Sequence, residues 1–147
     1  MTEMTWTAMT IGGELPESKV KELENIIDGE FSYLAAYTIK SGETVDIAGF
    51  VNYGNPDDVK QFCADNNLTY WHHFDAGYEW DAGVTFWKPG MESEIECGAS
   101  GQGSEPLLTL HELRKHAAEG RTLEMVIERL TKYESGNVPP LTIKAEA

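Results

Sequence analysis

The spacing of apolar residues changes period several times along the chain, and each change predicts an element. Trp6 to Ile11 comes close enough to alternation to predict a strand, closed by Gly12-Gly13. Beyond Pro16 the period lengthens. Val20, Leu23, Ile26 and Ile27 recur at helical spacing, with the proline near the helix start. Tyr33 to Ile39 predicts a second strand, Ser41-Gly42-Glu43 a turn, and Val45 to Tyr53 a third strand. Asn55-Pro56-Asp57-Asp58 then predicts a second helix. Its asparagine is the N-cap, its proline takes the first helical position, and its acids face the positive end of the macrodipole. Val59, Phe62 and Cys63 form its core face. Leu68 to Phe74 predicts a fourth strand and Ala76-Gly77 a turn. Trp80 to Trp87 is a fifth strand stopped by Pro89-Gly90, and Glu92 to Cys97 a sixth.

A faint repeat underlies this order. A shift of 39 positions lays Ser18-Lys19-Val20-Lys21-Glu22-Leu23 over Asp57-Asp58-Val59-Lys60-Gln61-Phe62, Ile11 over Phe50, and Phe31 over Tyr70. Each half reads strand, helix, strand. The expected fold is therefore α+β, with a ferredoxin-like antiparallel sheet (β-α-β-β-α-β plus one or two added strands). The end of the chain differs. Gly98 to Ser104 reads as a flexible connector, and Thr109-Leu110-His111-Glu112 as a capping box opening a short helix that Gly120 ends. Thr122 opens another helix, with Leu123, Val126, Ile127 and Leu130 as its expected buried stripe. The expectation is one domain: an acidic sheet part over residues 1–106, a helical hairpin over 107–138 packed on the sheet or on a second copy of the chain, and a loose tail over 139–147.

Bulk composition narrows the class. At 147 residues, 41% hydrophobic and 10% aromatic, the chain can bury a core and does not read as disordered. No run approaches the ~20 apolar residues that span a bilayer. The start Met1-Thr2-Glu3-Met4 has neither the basic nor the apolar region of a secretion signal, so a cytoplasmic setting is expected. Cys63 and Cys97 make no disulfide framework and suit a reducing compartment.

Charge changes the picture most. Residues 1–106 carry 19 Asp/Glu against 5 Lys/Arg, whereas residues 107–147 carry 6 of each, so the whole net charge of −14 lies in the first part. Between Glu43 and Pro106 there are 12 acids and two lysines, Lys60 and Lys88. Such segregation favours a cationic partner and repels DNA and anionic membrane. Glu92-Ser93-Glu94-Ile95-Glu96 would place three carboxylates on one strand face at ~6.6 Å intervals, about the spacing of successive phosphates on a strand. Asp75, Glu79 and Asp81 extend the patch around a hairpin. The same charges also suit an edge strand protected from aggregation. Trp71, Tyr78, Trp80, Phe86 and Trp87 cluster on this hairpin. Alternation puts Trp80, Ala82, Val84 and Phe86 on one face and Trp87 on the polar face, either as an exposed anchor or beneath the C-terminal helices.

The remaining chemistry is sparse. His72 and His73 point to opposite faces of a strand, and His111 and His116 are five apart, off the register for two ligands on one helical face. No zinc pattern, P-loop or nucleophile elbow is present, and Gly98-Ala99-Ser100-Gly101-Gln102-Gly103 lacks the residues that hold a phosphate. No cofactor or metal is expected. An enzyme built on His72, His73 or His111 with acids brought near in space stays open as a minor alternative.

Three phrases carry a resemblance: Ile11-Gly12-Gly13-Glu14-Leu15-Pro16, Phe62-Cys63-Ala64-Asp65-Asn66-Asn67-Leu68 and Phe86-Trp87-Lys88-Pro89-Gly90-Met91. Together they resemble small acidic proteins carried by bacteriophages and mobile elements, over most of the chain. The resemblance implies a small accessory product acting inside a bacterium, in the functional class of anti-CRISPR and anti-restriction inhibitors, many of which mimic DNA. It transfers no functional residue. The expected function is a non-enzymatic inhibitor of a basic, nucleic-acid-binding host complex. Asp75, Glu79, Asp81, Glu92, Glu94, Glu96 and Trp87 would make the contact. The alternative is a module that sequesters a small molecule such as a nucleotide signal. Homodimerisation through the C-terminal helices is a further expectation.

Overall fold

The computed structural model describes residues 3–101 and 104–146. Met1, Thr2 and Ala147, and with them Gln102 and Gly103 of the expected connector, lie outside the described residues.

Strand β1 (Met4–Pro16) is the spine of an antiparallel sheet. Alternation works as the sequence predicts: Met9 and Ile11 point into the core while Trp6 stays exposed. On one side β1 pairs with β2 (Val45–Asn52), Met9 opposite Ile47, and on the other with β3 (Thr69–Phe74), Met9 opposite His72. Strand β3 pairs with β4 (Gly83–Trp87), and β4 with β5 (Ile95–Gly98), giving the order β2-β1-β3-β4-β5. Helices α1 (Val20–Glu30) and α2 (Asp57–Asp65) lie on one face. Their Leu23, Ile27, Val59, Phe62 and Cys63 close the main core over β1 and β2. The opposite face holds a second core of Trp71, Val84, Phe86, Ala99 and Val138. Helices α3 (Leu110–Ala118) and α4 (Leu123–Thr131) and a last strand, β6 (Leu141–Lys144), complete an α+β fold of six strands and four helices among the described residues.

Several expectations are corrected. Gly12-Gly13 does not close the first strand. At that point β1 changes partners and continues beside β6, in parallel, with Gly13 opposite Leu141. A side chain at residue 12 would put its Cβ 1.6 Å from the Pro139 carbonyl oxygen, so the absence of one lets the C-terminal segment come this close. Residues 141–144 are thus a strand and no loose tail. Leu141 is wholly buried, which is worth about 2 kcal/mol. Tyr33 to Ile39 is not a strand. Ser32, just before it, bridges Phe50, and within it the Ala35 N–H donates to the Ala48 carbonyl. Tyr33 at φ 52° turns the backbone out of the extended region directly after that bridge. The fifth strand begins at Gly83. Trp80 is held in a turn, its indole N–H donating to the Asp75 carbonyl and its own carbonyl accepting from Gly77. The sixth begins at Ile95, leaving Glu92 and Glu94 ahead of it.

The two C-terminal helices are capped as read. Thr109 and Glu112 form the capping box, and Thr122 accepts from the Met125 N–H. Their packing is not as read. Helix α3 buries no residue and α4 only Val126; Leu123 is 72% and Ile127 53% exposed. What covers the second face is the chain after α4, where the Tyr133 carbonyl accepts from the Trp71 indole at 2.8 Å and Val138 joins the core.

Candidate functional site

Helices α1 and α2 cover β2, β1 and β3 and stop there. On the same face β4 and β5 carry Thr85, Trp87 and Glu96, with Glu94 just ahead of β5, in register with Tyr70 and His72 of β3. The uncovered half of the face is a groove in two adjoining parts, of about 280 and about 310 Å³, which share Asn55, Lys60 and Glu94. Tyr70 and Trp87 line the first part. Tyr53, His72, Trp80, Thr85 and Glu96 line the second.

Lys60 stands at the centre, because it directly follows Val59, which anchors α2 in the core, and so points about 100° around the helix from it, toward the groove. Its side chain is only 11% exposed, and Nζ lies 3.1 Å from Glu94 Oε2. The Tyr70 hydroxyl donates to the same carboxylate, and Lys60 also sits over the Tyr70 ring at 5.7 Å. Burial, and then the bond to Glu94, push the Tyr70 phenol far above its ordinary range. Trp87 stacks on Tyr70 with ring centroids 6.2 Å apart, and its indole donates to the Met91 carbonyl. A pair this sheltered gains little net energy, because desolvation offsets most of the Coulomb attraction. Its effect is to neutralise the one lysine of the groove.

His72 forms part of the floor. Its Nε2 lies 2.7 Å from the Gly54 carbonyl, which only accepts, so Nε2 carries the proton and Nδ1 accepts from the Thr85 hydroxyl at 3.0 Å. Burial first, and the Lys60 charge second, hold this imidazole well below its ordinary value, so it stays neutral. Gly54 is itself tightly placed: at φ 66°, with Phe74 Cβ 2.9 Å from where a side chain would begin.

The amino end of α2 is also occupied. The expected Asn55 cap is absent. The Glu30 carboxylate at the end of α1 accepts from the Asp58 and Val59 N–H groups, each at 2.9 Å. Burial raises the Glu30 carboxyl above its ordinary range despite those two bonds.

The sequence-predicted residues therefore divide. Glu94, Glu96 and Trp87 meet in the groove. Glu92 lies in a bend outside it, so the three carboxylates do not form one strand row. Asp75, Glu79 and Asp81 lie between β3 and β4, at the far end of β4 from Glu92 and Glu94, roughly 13 Å along that strand. Asp75 turns toward the other face, 3.9 Å from His73 Nε2. Trp87 is not under the C-terminal helices; it packs against the main core on the α2 side. Lys60, Tyr70, Asn55, Tyr53 and Thr85 are groove residues that the sequence did not mark. The one signal was that Lys60 is among only two bases in the acidic stretch.

Elsewhere His73 faces away from His72, against the Ser100 carbonyl, and His111 is exposed on α3. Among the described residues no three His, Cys, Asp or Glu side chains are grouped to hold a metal. Cys63 is buried in the main core and Cys97 sits in the second; burial raises Cys97 to about 11. No helix is long and apolar enough to cross a membrane among the described residues. A larger cleft, about 590 Å³, lies between α4 and Phe86, Met91 and Ile95. No hydrogen bond or ion pair joins its Lys88, Glu128 and Lys132 to one another among the described residues, so it is the gap beneath a helix that buries one side chain, without the polar network of the first groove. No family model matches the chain, and neither does any curated protein or solved structure.

Proposed function

We propose that the chain is a non-enzymatic binding protein that blocks a basic, nucleic-acid-handling host complex, of the CRISPR-effector or restriction-enzyme kind, with an acidic face centred on the β4–β5 groove. One observation carries this reading. Of the two bases between Glu43 and Pro106, Lys60 is already neutralised by Glu94, which leaves Glu96 and Asp57 in an uncovered, aromatic-walled groove, and Glu92 beside it, without an ion pair among the described residues. The likeness to small acidic phage proteins supports the bacterial setting. Competition with DNA would come from surface potential rather than from a phosphate-spaced row, because Glu92, Glu94 and Glu96 do not share a strand. A nucleotide ligand fits less well, since among the described residues the groove's lysine, Lys60, is already paired with Glu94. Residues 4–74 also fit the ferredoxin-like order, with residues 32–35 alongside β2 in the place of the missing edge strand.

The test is capture of a DNA-handling complex from bacterial lysate by the immobilised protein, at low and high salt. Capture should fail at high salt, be competed by duplex DNA, and be lost in E92K/E96K. E94K is unsuitable, because it sets a second ammonium against Lys60. Capture that survives both E92K/E96K and excess DNA refutes the proposal.

A second reading concerns self-association. Leu110, Leu113, Leu123, Met125 and Ile127 are all at least 45% exposed on two helices that bury almost nothing. The occupant proposed for these exposed apolar side chains is a second copy of the chain. Residues 107–147 are electrically neutral, so two copies meet there without the like-charge repulsion that their acidic parts impose elsewhere. Sedimentation equilibrium should give a dimer that L110E/I127E converts to monomer. A monomer at every concentration refutes it.

A further inference from the structure

We infer that the part of the groove between Tyr53, Trp80 and Glu96 is a binding site for a guanidinium group, and that an arginine side chain of the basic partner seats there. This rests on the reading above and names the chemistry of its contact. The sign of the ligand follows from elimination. Three features of the groove would ordinarily attract an anion, and each is already satisfied. Lys60 is paired with Glu94. The N–H groups at the start of α2 are taken by Glu30. His72 donates its one proton to the Gly54 carbonyl. What is left is negative: Glu96 makes no ion pair among the described residues, and Asp57 lines the adjoining part of the groove.

The shape of the ligand follows from the walls. Tyr53 and Trp80 meet edge to face, with ring centroids 5.9 Å apart, and line a cavity of about 310 Å³ together with Thr85, Glu94 and Glu96. Aromatic faces beside a carboxylate suit a flat, weakly hydrated cation better than a compact ammonium, because guanidinium stacks on a ring while its N–H fork meets a carboxylate in plane. Glu96 is fixed at its backbone. It pairs with Thr85 across β4 and β5, and its carbonyl accepts from the Tyr133 hydroxyl at 3.3 Å. The acceptor is therefore held on a strand rather than on a mobile loop.

The probes are agmatine and N-acetyl-arginine amide, titrated into the full chain and followed by Trp80 indole fluorescence and by amide NMR shifts. Saturable binding is expected, with shifts confined to Tyr53, Trp80, Thr85 and Glu96. Affinity should fall at least fivefold in E96Q and in W80A, and be unchanged in E22Q, an exposed carboxylate of α1 that lines neither part of the groove. N-Acetyl-lysine amide should bind at least fivefold more weakly. Equal binding of the lysine analogue, or binding unaffected by E96Q, overturns the site. If neither probe binds while the salt-sensitive capture of a DNA-handling complex persists, this inference falls and the acidic-face reading stands. If the probes bind but capture fails, the site stands and the macromolecular partner is wrong.

Discussion

Acidification should destabilise the folded chain through His72, by an amount that follows from its position. In the unfolded chain the imidazole titrates near 6.5. In the fold it is buried, its Nε2–H is bound to Gly54 and Lys60 is nearby, so its proton affinity is lowered. The unfolded state therefore binds the extra proton first, and stability falls as the pH drops below 6.5 toward the folded value. For a side chain that stays neutral in the fold, the loss is about 0.8 kcal/mol at pH 6 and about 2 kcal/mol at pH 5, and nearly zero at pH 7.5. The rest of the chain also titrates in this range. Glu30, whose pKa is raised in the fold, works in the opposite direction and gains stability as the pH falls. The comparison must therefore be differential. In H72Q the amide can donate to Gly54 and accept from Thr85 without titrating, while every other group is shared with the wild type. Urea unfolding of both proteins at pH 7.5, 6 and 5 should show the wild type losing stability relative to H72Q as the pH falls, by at most about 2 kcal/mol between the first and last values. A constant difference across that range would show that His72 takes up a proton in the fold as readily as in the unfolded chain. The floor of the groove would then be wet, and the argument for a neutral His72 would fail.

Three further outcomes follow from the packing. E94A should cost about 3 kcal/mol because it leaves Lys60 sheltered without its partner, whereas K60M/E94L should lie within about 1 kcal/mol of wild type; urea midpoints decide between them. G12A should displace β6, since its Cβ meets the Pro139 carbonyl, so limited proteolysis after residue 139 should quicken and stability should drop by at least the ~2 kcal/mol of Leu141 burial. T109A removes a cap worth about 1 kcal/mol from a helix that buries nothing, so amide exchange in α3 should quicken while the global urea midpoint stays put.

What the sequence disclosed depended on the distance between the causes. The Thr109 and Glu112 capping box is legible because both partners lie within one turn, and the Thr122 cap for the same reason. The cap of α2 is not, because the Glu30 carboxylate comes from 28 residues upstream and displaces the plausible local candidate, Asn55. The apolar content of Tyr33 to Ile39 reads as a strand, but the positive φ of Tyr33 breaks it, and nothing in a tyrosine announces that conformation. Leu141 looks like part of a tail until Gly12 is known to admit the chain beside it. The site shows the same division. Glu94 and Glu96 stand out as members of an acidic run, whereas Lys60 and Tyr70 gain their meaning only from contacts 34 and 24 residues away.

The two uncovered surfaces have opposite chemistry, and that restricts how they can be used together. The groove is anionic, so a second copy of so acidic a chain gains nothing by docking there. The exposed leucines of α3 and the exposed Leu123 and Ile127 of α4 lie in a segment with no net charge, so a partner selected by its positive charge gains little from them. Each surface thus suits a different occupant, and occupying one leaves the other free. A two-fold contact through α3 and α4 would present two grooves on one particle. A basic complex that engages both would then bind with an effective concentration set by the groove separation, while a single guanidinium probe would feel no difference. L110E/I127E should accordingly weaken capture of a multivalent basic complex and leave agmatine affinity unchanged. Equal loss of both would mean that the helices support the groove structurally, and equal retention of both that the two surfaces act independently.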